Sequence, residues 1–408
     1  MEINADMQAF TPCRMIVYRE FQLHSMLTFL QKYKIIVKYL IAGANFSLFT
    51  FHFSLYFVIL QRKNKKAMKK LNSRTYLYIA AIGLLLIIGL IAFYAVTPVS
   101  LADSTQYLYI DDDDTQDSVI THLRPMSHAA GLTGLTTLMR HSSYGDNIKT
   151  GRYAIEPKEG AITLFRKLKN GQQASLRLTI PEVRTMDRLA GFLGKKLMLD
   201  SATIANALYS NEVCQKYGYD TSTVAALFVP DTYDVYWNMS IDALMQRMEK
   251  EHQHFWQGER EAKAAKMQLT PVEICTLASI IDEETANNSE KPMIAGMYLN
   301  RLKTNMPLQA DPTIKFALKQ FELKRIWQKL LFIDSPYNTY KNKGLPSGPI
   351  KIASIKGIDA VLNATTHDYL YMCAKEDFSG THNFARTYQE HLKNAAKYTK
   401  ALNERGIK

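Results

Sequence analysis

Residues 76–96, YLYIAAIGLLLIIGLIAFYAV, hold no charged side chain. A helix needs about 20 apolar residues to cross a bilayer, and this run supplies them. It divides the chain into a short leading part and a long trailing part that must fold in different surroundings. Tyr76, Tyr78 and Tyr94 lie near its ends, where interfacial aromatics sit. Arg62, Lys63, Lys65, Lys66, Lys69, Lys70 and Arg74 precede it, which predicts a cytoplasmic N-terminus and a trailing part outside the cytoplasm. The run is long for the apolar core of a cleaved signal, and no small-x-small site follows closely, so it reads as an uncleaved anchor. The basic cluster lacks interleaved aromatics and runs straight into the span, which sets nucleic acid aside as a partner.

Residues 35–60 are also apolar and aromatic, interrupted by Lys38, Asn45 and His52. They are either a second span or part of an extension, 1–67, upstream of a working start at Met68. Met68-Lys69-Lys70 followed by one span is how an anchored exported protein begins, so the single-span reading is the expectation. The net charge is +12, and the four cysteines (Cys13, Cys214, Cys275, Cys373) show neither metal-ligand nor disulfide spacing.

Beyond a linker at 98–106 the pattern predicts an α+β fold. Residues 107–110 alternate as a strand before the acidic turn 111–114. Helices are expected at 117–123, 131–139 and 162–168, and strands at 151–155 and 174–180. These make a small α+β module over 107–180. From 181 to 400 a mainly helical domain with short strands follows. Its helices are expected at 184–197, 201–210, 240–266, 271–287, 290–305 and 388–403, with strands and loops over 311–384.

The helix from 271 is the best-defined element. Thr270 is its N-cap, Pro271 suits the first position and Glu273 completes a capping box. Ile274, Leu277, Ala278 and Ile281 form one stripe, and at about 100° per residue Glu284 falls in its middle, while Asp282 and Glu283 fall well off it. A lone carboxyl on an apolar face has a raised pKa and can act as a general acid. The plainer reading is a helix-end glutamate facing water.

Walker A, dinucleotide-binding, zinc-protease and nucleophile-elbow signatures do not occur. His367, beside Thr365 and Thr366, belongs to no triad and reads as a surface loop residue. Polar loops at 309–313, 335–340, 344–350 and 380–384 carry Tyr, Asn, Ser and His donors that suit an extended polar ligand such as a glycan. They are equally readable as structural turns.

These motifs together resemble the YceG-like (MltG) family of endolytic murein transglycosylases. The resemblance rests on FVPDTY (228–233), LASIIDEET (277–285), Glu290, NRL (300–302), MPLQADPT (306–313), SPYNTY (335–340), GLPSGPI (344–350) and GTHNF (380–384), in order over roughly 76–400. It implies that Glu284 is catalytic. Glu290, Asp311, Tyr337, Asn338 and His382 are implied to bind the sugar and orient Glu284. The family's first acid and lysine before this glutamate are Asp282 and Glu283 here; the added carboxylate of Glu283 could raise the pKa of Glu284, though Glu283 should point away from it. Val229 replaces an aromatic, which puts stacking there in question. Residues 107–180 resemble a LysM-like module, with Gly151-Arg152-Tyr153 as its strand; nothing in the family resembles 1–67.

The implied enzyme is a single-pass inner-membrane lyase, with peptidoglycan glycan strands as substrate and peptidoglycan synthases as neighbours. It would break the MurNAc–GlcNAc bond non-hydrolytically, leaving 1,6-anhydro ends, with no cofactor or metal. The rival readings are a muramidase using Asp311 or Glu290 as second carboxylate, a non-catalytic peptidoglycan-binding scaffold, and an exported protein of other function.

Overall fold

The computed structural model describes residues 73–323 and 326–406. The expected extension 1–67, with its candidate second span and working start, lies outside them. Two compact units emerge. One comprises the described residues up to 149 together with 153–172; the other comprises 150–152 and everything from 173 onward.

In the first unit, α1 (Ser73–Val96) contains Leu77–Val96, the one helix among the described residues long and apolar enough to cross a membrane. Its apolar side chains face outward all round, with Leu85 67% and Ile91 63% exposed. That is the pattern of a helix whose solvent is lipid. Strand β1 (Gln106–Ile110) pairs with β2 (Gly151–Ile155), and α2 (Gln116–Leu123), α3 (Ala129–His141) and α4 (Ala161–Asn170) complete the unit. Thr115 and Ser118 cap α2 reciprocally, and Gly171, at φ 69°, closes α4 in the left-handed conformation that glycine adopts freely. Leu108, Ile110, Leu123, Leu135, Tyr153, Leu164 and Leu168 form the core.

In the second unit, β3 (Leu176–Thr179) pairs antiparallel with β4 (Thr232–Val235), Leu178 opposite Tyr233. The strand expected at 174–180 therefore forms over Leu176–Thr179 with a partner some fifty residues downstream, while its lead-in touches β2, the Ala174 amide donating to the Arg152 carbonyl at 2.7 Å. Helices α5 (Met186–Gly194), α6 (Ser201–Leu208) and α7 (Asn211–Gln215) pack around it, with Leu189, Leu193, Ile204, Leu208 and Val224 enclosed.

The single helix expected at 240–266 is two, α8 (Ile241–Trp256) and α9 (Glu259–Met267). Gln257 leaves the helical region and Gly258 turns the chain at φ 78°. Trp256 and Ala264 then bury in the same core as Ile274, which one straight helix would not allow.

That core is built on α10 (Pro271–Glu284), every residue of which from Ile274 to Ile281 is buried. Around it lie α11 (Lys291–Lys303), α12 (Asp311–Ala317) and α13 (Ile355–Leu362). Strands β5 (Tyr371–Ala374) and β6 (His382–Ala385) form an antiparallel hairpin, and α14 (Tyr388–Glu404) ends the described chain. The Asp311-Pro312 step, expected as a turn, instead opens α12. Proline suits a first helical turn because its missing N–H is not needed there, and Asp311 complements the helix dipole.

Candidate active site

The Thr270–Glu273 capping box forms as expected, with both reciprocal bonds present. It fixes the start of α10 and, by helical periodicity, the side on which Glu284 leaves its last turn. Ser279, 0% exposed, donates to the Thr276 carbonyl at 2.7 Å and accepts the Ile350 amide at 3.0 Å, which ties the GLPSGPI loop to α10. The next residue, Thr285, is extended, so the helix stops at Glu284.

Glu284 is half-buried, and its Oε1 accepts a hydrogen bond from the Tyr298 hydroxyl at 2.8 Å. Burial of the carboxyl pushes its pKa up to about 7. The Tyr298 bond opposes the rise, and the negative charge of Asp311 adds to it. Burial leads, as expected of a carboxyl enclosed by apolar neighbours.

Tyr298 is 1% exposed on the buried face of α11. Enclosure beside Glu284 drives its own pKa well above the usual phenol value, so it remains a donor. Arg301, one turn further along α11, is held by the carbonyls of Leu370 (2.6 Å), Pro307 (3.2 Å) and Leu308 (2.7 Å). Its charge and that of Lys315 draw the Glu284 pKa down slightly.

Asp311 opens α12 and accepts from the Tyr340 hydroxyl at 2.5 Å. The loop that presents Tyr340 is latched to the start of α12. The Ala310 amide donates to Thr339 Oγ1 at 3.0 Å, and Thr313 and Thr339 share a hydroxyl bond of 2.9 Å. Glu284, Tyr298, Arg301, Asp311 and Tyr340 thus form one electrostatically linked group.

The other expected residues divide. Glu290, 8% exposed, accepts from the His382 amide at 2.6 Å and pairs with His382 Nδ1 at 3.0 Å, joining α11 to β6. Asn338 is 0% exposed, with its amide donating to Leu331 and Ile333 carbonyls and its oxygen accepting the Tyr340 and Lys341 amides. Its capacity is spent on loop backbone, so it shapes the loop. The ring of Tyr337 packs on Phe316 with centroids 4.7 Å apart, a packing role rather than an open binding face.

Four further residues take definite places. Asp282, though off the apolar stripe, is enclosed. It pairs with Lys291 at 2.7 Å and accepts from the Ser354 amide and hydroxyl, because α10 is wrapped on more sides than one stripe suggests. Glu283 adds nothing to Glu284; Arg184 at 2.8 Å and Lys351 at 3.4 Å neutralise it. Val229 is 5% exposed, a core position with no stacking face to lose. His367 is half-buried, bonded to the Met293 carbonyl at 2.9 Å and packed on Tyr369, so it fastens the start of α11.

Tyr298 and Tyr340 were the residues least visible in sequence. The available signal for Tyr298 was its spacing of three from Arg301 on an apolar helix face. A buried tyrosine hydroxyl needs a polar partner.

The description of the YceG-like family matches residues 108–397. The endolytic murein transglycosylase of Bacillus subtilis (strain 168) is 40% identical over 145 residues, 36% of this chain and 39% of that protein. The endolytic murein transglycosylase of Streptococcus pneumoniae serotype 2 (strain D39) is 26% identical over 293 residues, covering 64% of this chain and 52% of that one. A solved YceG-like protein of Listeria monocytogenes superposes with a TM-score of 0.47 at 25% identity, covering 72% of this chain and 99% of that one. The chain spans about half or less of the length of these two curated relatives.

Proposed function

The chain belongs to the YceG-like family, and we propose that it is a membrane-anchored endolytic peptidoglycan transglycosylase with Glu284 as its acid and base. The observation that carries this reading is a single carboxyl with a pKa of about 7, held on one oxygen by Tyr298 and open to protonation on the other. Such a group is protonated often enough near neutral pH to donate, and basic enough afterwards to accept.

Glu284 gives its proton to the glycosidic oxygen between MurNAc and GlcNAc, and the C1–O bond breaks. The C6 hydroxyl of the same MurNAc attacks C1, and its proton returns to Glu284. The products are a free GlcNAc 4-hydroxyl and a 1,6-anhydro-MurNAc end, and no water is consumed. Hydrolytic glycosidases use two carboxylates because they must activate water or form a covalent intermediate. An internal nucleophile removes that need by proximity. Tyr298 stabilises the carboxylate that forms when the proton leaves, and Asp311 supplies negative charge near the developing oxocarbenium.

Asp311 is also what a muramidase reading would use as its second carboxylate. Its bond from Tyr340 orients it. Digestion of purified glycan strands in heavy-oxygen water separates the two. Anhydro ends without heavy label support transglycosylation; labelled reducing ends overturn it. In a scaffold, neither product forms and binding is unchanged by Glu284→Gln. The basic run before α1 supports a cytoplasmic N-terminus and a catalytic unit outside. There the enzyme would meet nascent strands beside the synthases, with residues 107–180 acting as a LysM-like module.

A further inference from the structure

The run Asn300-Arg301-Leu302 near the end of α11 takes no part in the proton transfer, yet its two polar side chains hold five backbone carbonyls. Asn300 Nδ2 donates to those of His367 and Tyr369 at 2.6 and 3.1 Å. Arg301 Nε donates to that of Leu370 at 2.6 Å, and its Nη1 to those of Pro307 and Leu308 at 3.2 and 2.7 Å. Arg301 is 7% exposed, and its guanidinium lies 5.4 Å from the centroid of the Tyr371 ring. A buried cation is a costly way merely to fill a core. What it supplies here is a fixed place for backbone.

The carbonyls of Pro307 and Leu308 belong to the short strip that leads into α12. The same strip is gripped from its amide side by Thr339. Gln309 donates to the Thr339 carbonyl and Ala310 to Thr339 Oγ1, both at 3.0 Å. Between the two grips Gln309 sits at φ 52°, in the left-handed region that a residue other than glycine holds only under constraint. Asp311 follows two residues on, and Tyr340 adjoins Thr339. A shift of the strip therefore reaches both. Lysine could not replace the fork, because its ammonium is a compact point charge without the planar set of donors. The charge of Arg301 also reaches Glu284 and favours its carboxylate, though less than the Tyr298 bond does.

We propose that Arg301 is a positioning residue of the reaction. It sets Asp311, and with it Tyr340, in place beside Glu284 and Tyr298, and acts through them without touching the sugar. The proposal rests on the reading of Glu284 as acid and base.

The test compares Arg301→Lys, Arg301→Met, Asn300→Ala and Glu284→Gln in the full chain in detergent. It reads kcat and KM for cleavage of purified glycan strands across the pH range, with urea melts beside them. A misplacement of about 1 Å can cost about 10²-fold, so Arg301→Lys is expected to lose about 10- to 10²-fold in kcat with KM little changed. Its alkaline limb stays in place, because the charge remains. Arg301→Met should show the same loss with the limb moved to higher pH, since no cation then favours the carboxylate. Asn300→Ala frees only the 367–369 carbonyls and should lose stability while keeping kcat. Parent-like kcat in Arg301→Lys, or losses at 300 and 301 that alike follow stability, overturns the proposal. Parent-like cleavage by Glu284→Gln overturns the assignment of Glu284, and the proposal with it. If neither Arg301 variant folds, Gln309→Val reads the same strip from an exposed position, because a β-branched residue resists the left-handed region. Reduced kcat with the fold kept then supports the proposal, and parent-like kcat overturns it.

Discussion

Tyr298→Phe isolates the hydrogen bond on which the chemistry of Glu284 depends. The substitution removes one oxygen from a fully enclosed ring and leaves the packing on α11 in place. The hydroxyl donates to Glu284 Oε1 at 2.8 Å and acts against burial, which even with this bond in place raises the carboxyl to about 7. A hydrogen bond to a charged group contributes about 1.5–3 kcal/mol. At roughly 1.4 kcal/mol per pKa unit, its loss raises the Glu284 pKa by about 1–2 units. Donation needs the protonated form, so kcat/KM falls as pH rises through the Glu284 pKa, and in the variant that fall moves to higher pH by the same amount. The plateau drops as well, because the transition state develops the carboxylate that Tyr298 stabilises. The same 1.5–3 kcal/mol corresponds to about 10- to 10²-fold in rate. The assay is the initial rate of glycan-strand cleavage across the pH range, with circular dichroism to confirm the fold. A variant whose alkaline limb stays in place, or moves down, would refute the assignment of Tyr298 as the partner that sets the acid.

Glu284→Gln should lose at least about 10²-fold in rate while keeping fold and glycan binding. Because the folded-state pKa of Glu284 lies above its ordinary value, its stabilising contribution is present at low pH and lost as pH rises through about 7. Calorimetry should therefore find the Gln variant more stable than the parent near pH 8 and little different near pH 5. Asp311→Asn removes a charge that raises Glu284 and should shift the alkaline limb to lower pH, read in the same rate profile. Lys291→Met leaves the enclosed Asp282 without its cation and should cost about 3–5 kcal/mol in a urea melt; near-neutrality would show that the Ser354 bonds suffice alone.

What could be read from the sequence were the features that local physics dictates. The helix long and apolar enough to cross a membrane needed only its length and lack of charge. The position of Glu284 followed from the Thr270 cap and the period of a helix, both local. What escaped depends on pairing over distance. The strand Leu176–Thr179 was visible, but its partner lies at Thr232–Val235. Glu290 and His382 were both singled out, yet the bond joining them spans 92 residues. A tyrosine on an apolar stripe reads as core, which Tyr298 also is; only the fold shows that its hydroxyl ends on Glu284. Asn338 erred in the opposite direction. A loop asparagine reads as a ligand donor until its amide is found fully occupied by backbone. The Gly258 break was signalled by its glycine, but the gain that favours it, shared burial of Trp256 and Ala264, is tertiary.

Glu284 is an acid poised near neutrality, and its titration can be measured directly. Carbon-13 labelling of glutamate side-chain carboxyls, with Glu284→Gln used to assign the resonance, follows its protonation by NMR. This one carboxyl should titrate at about 7, and higher still in Tyr298→Phe. Titration near 4.5, the ordinary glutamate value, would contradict it.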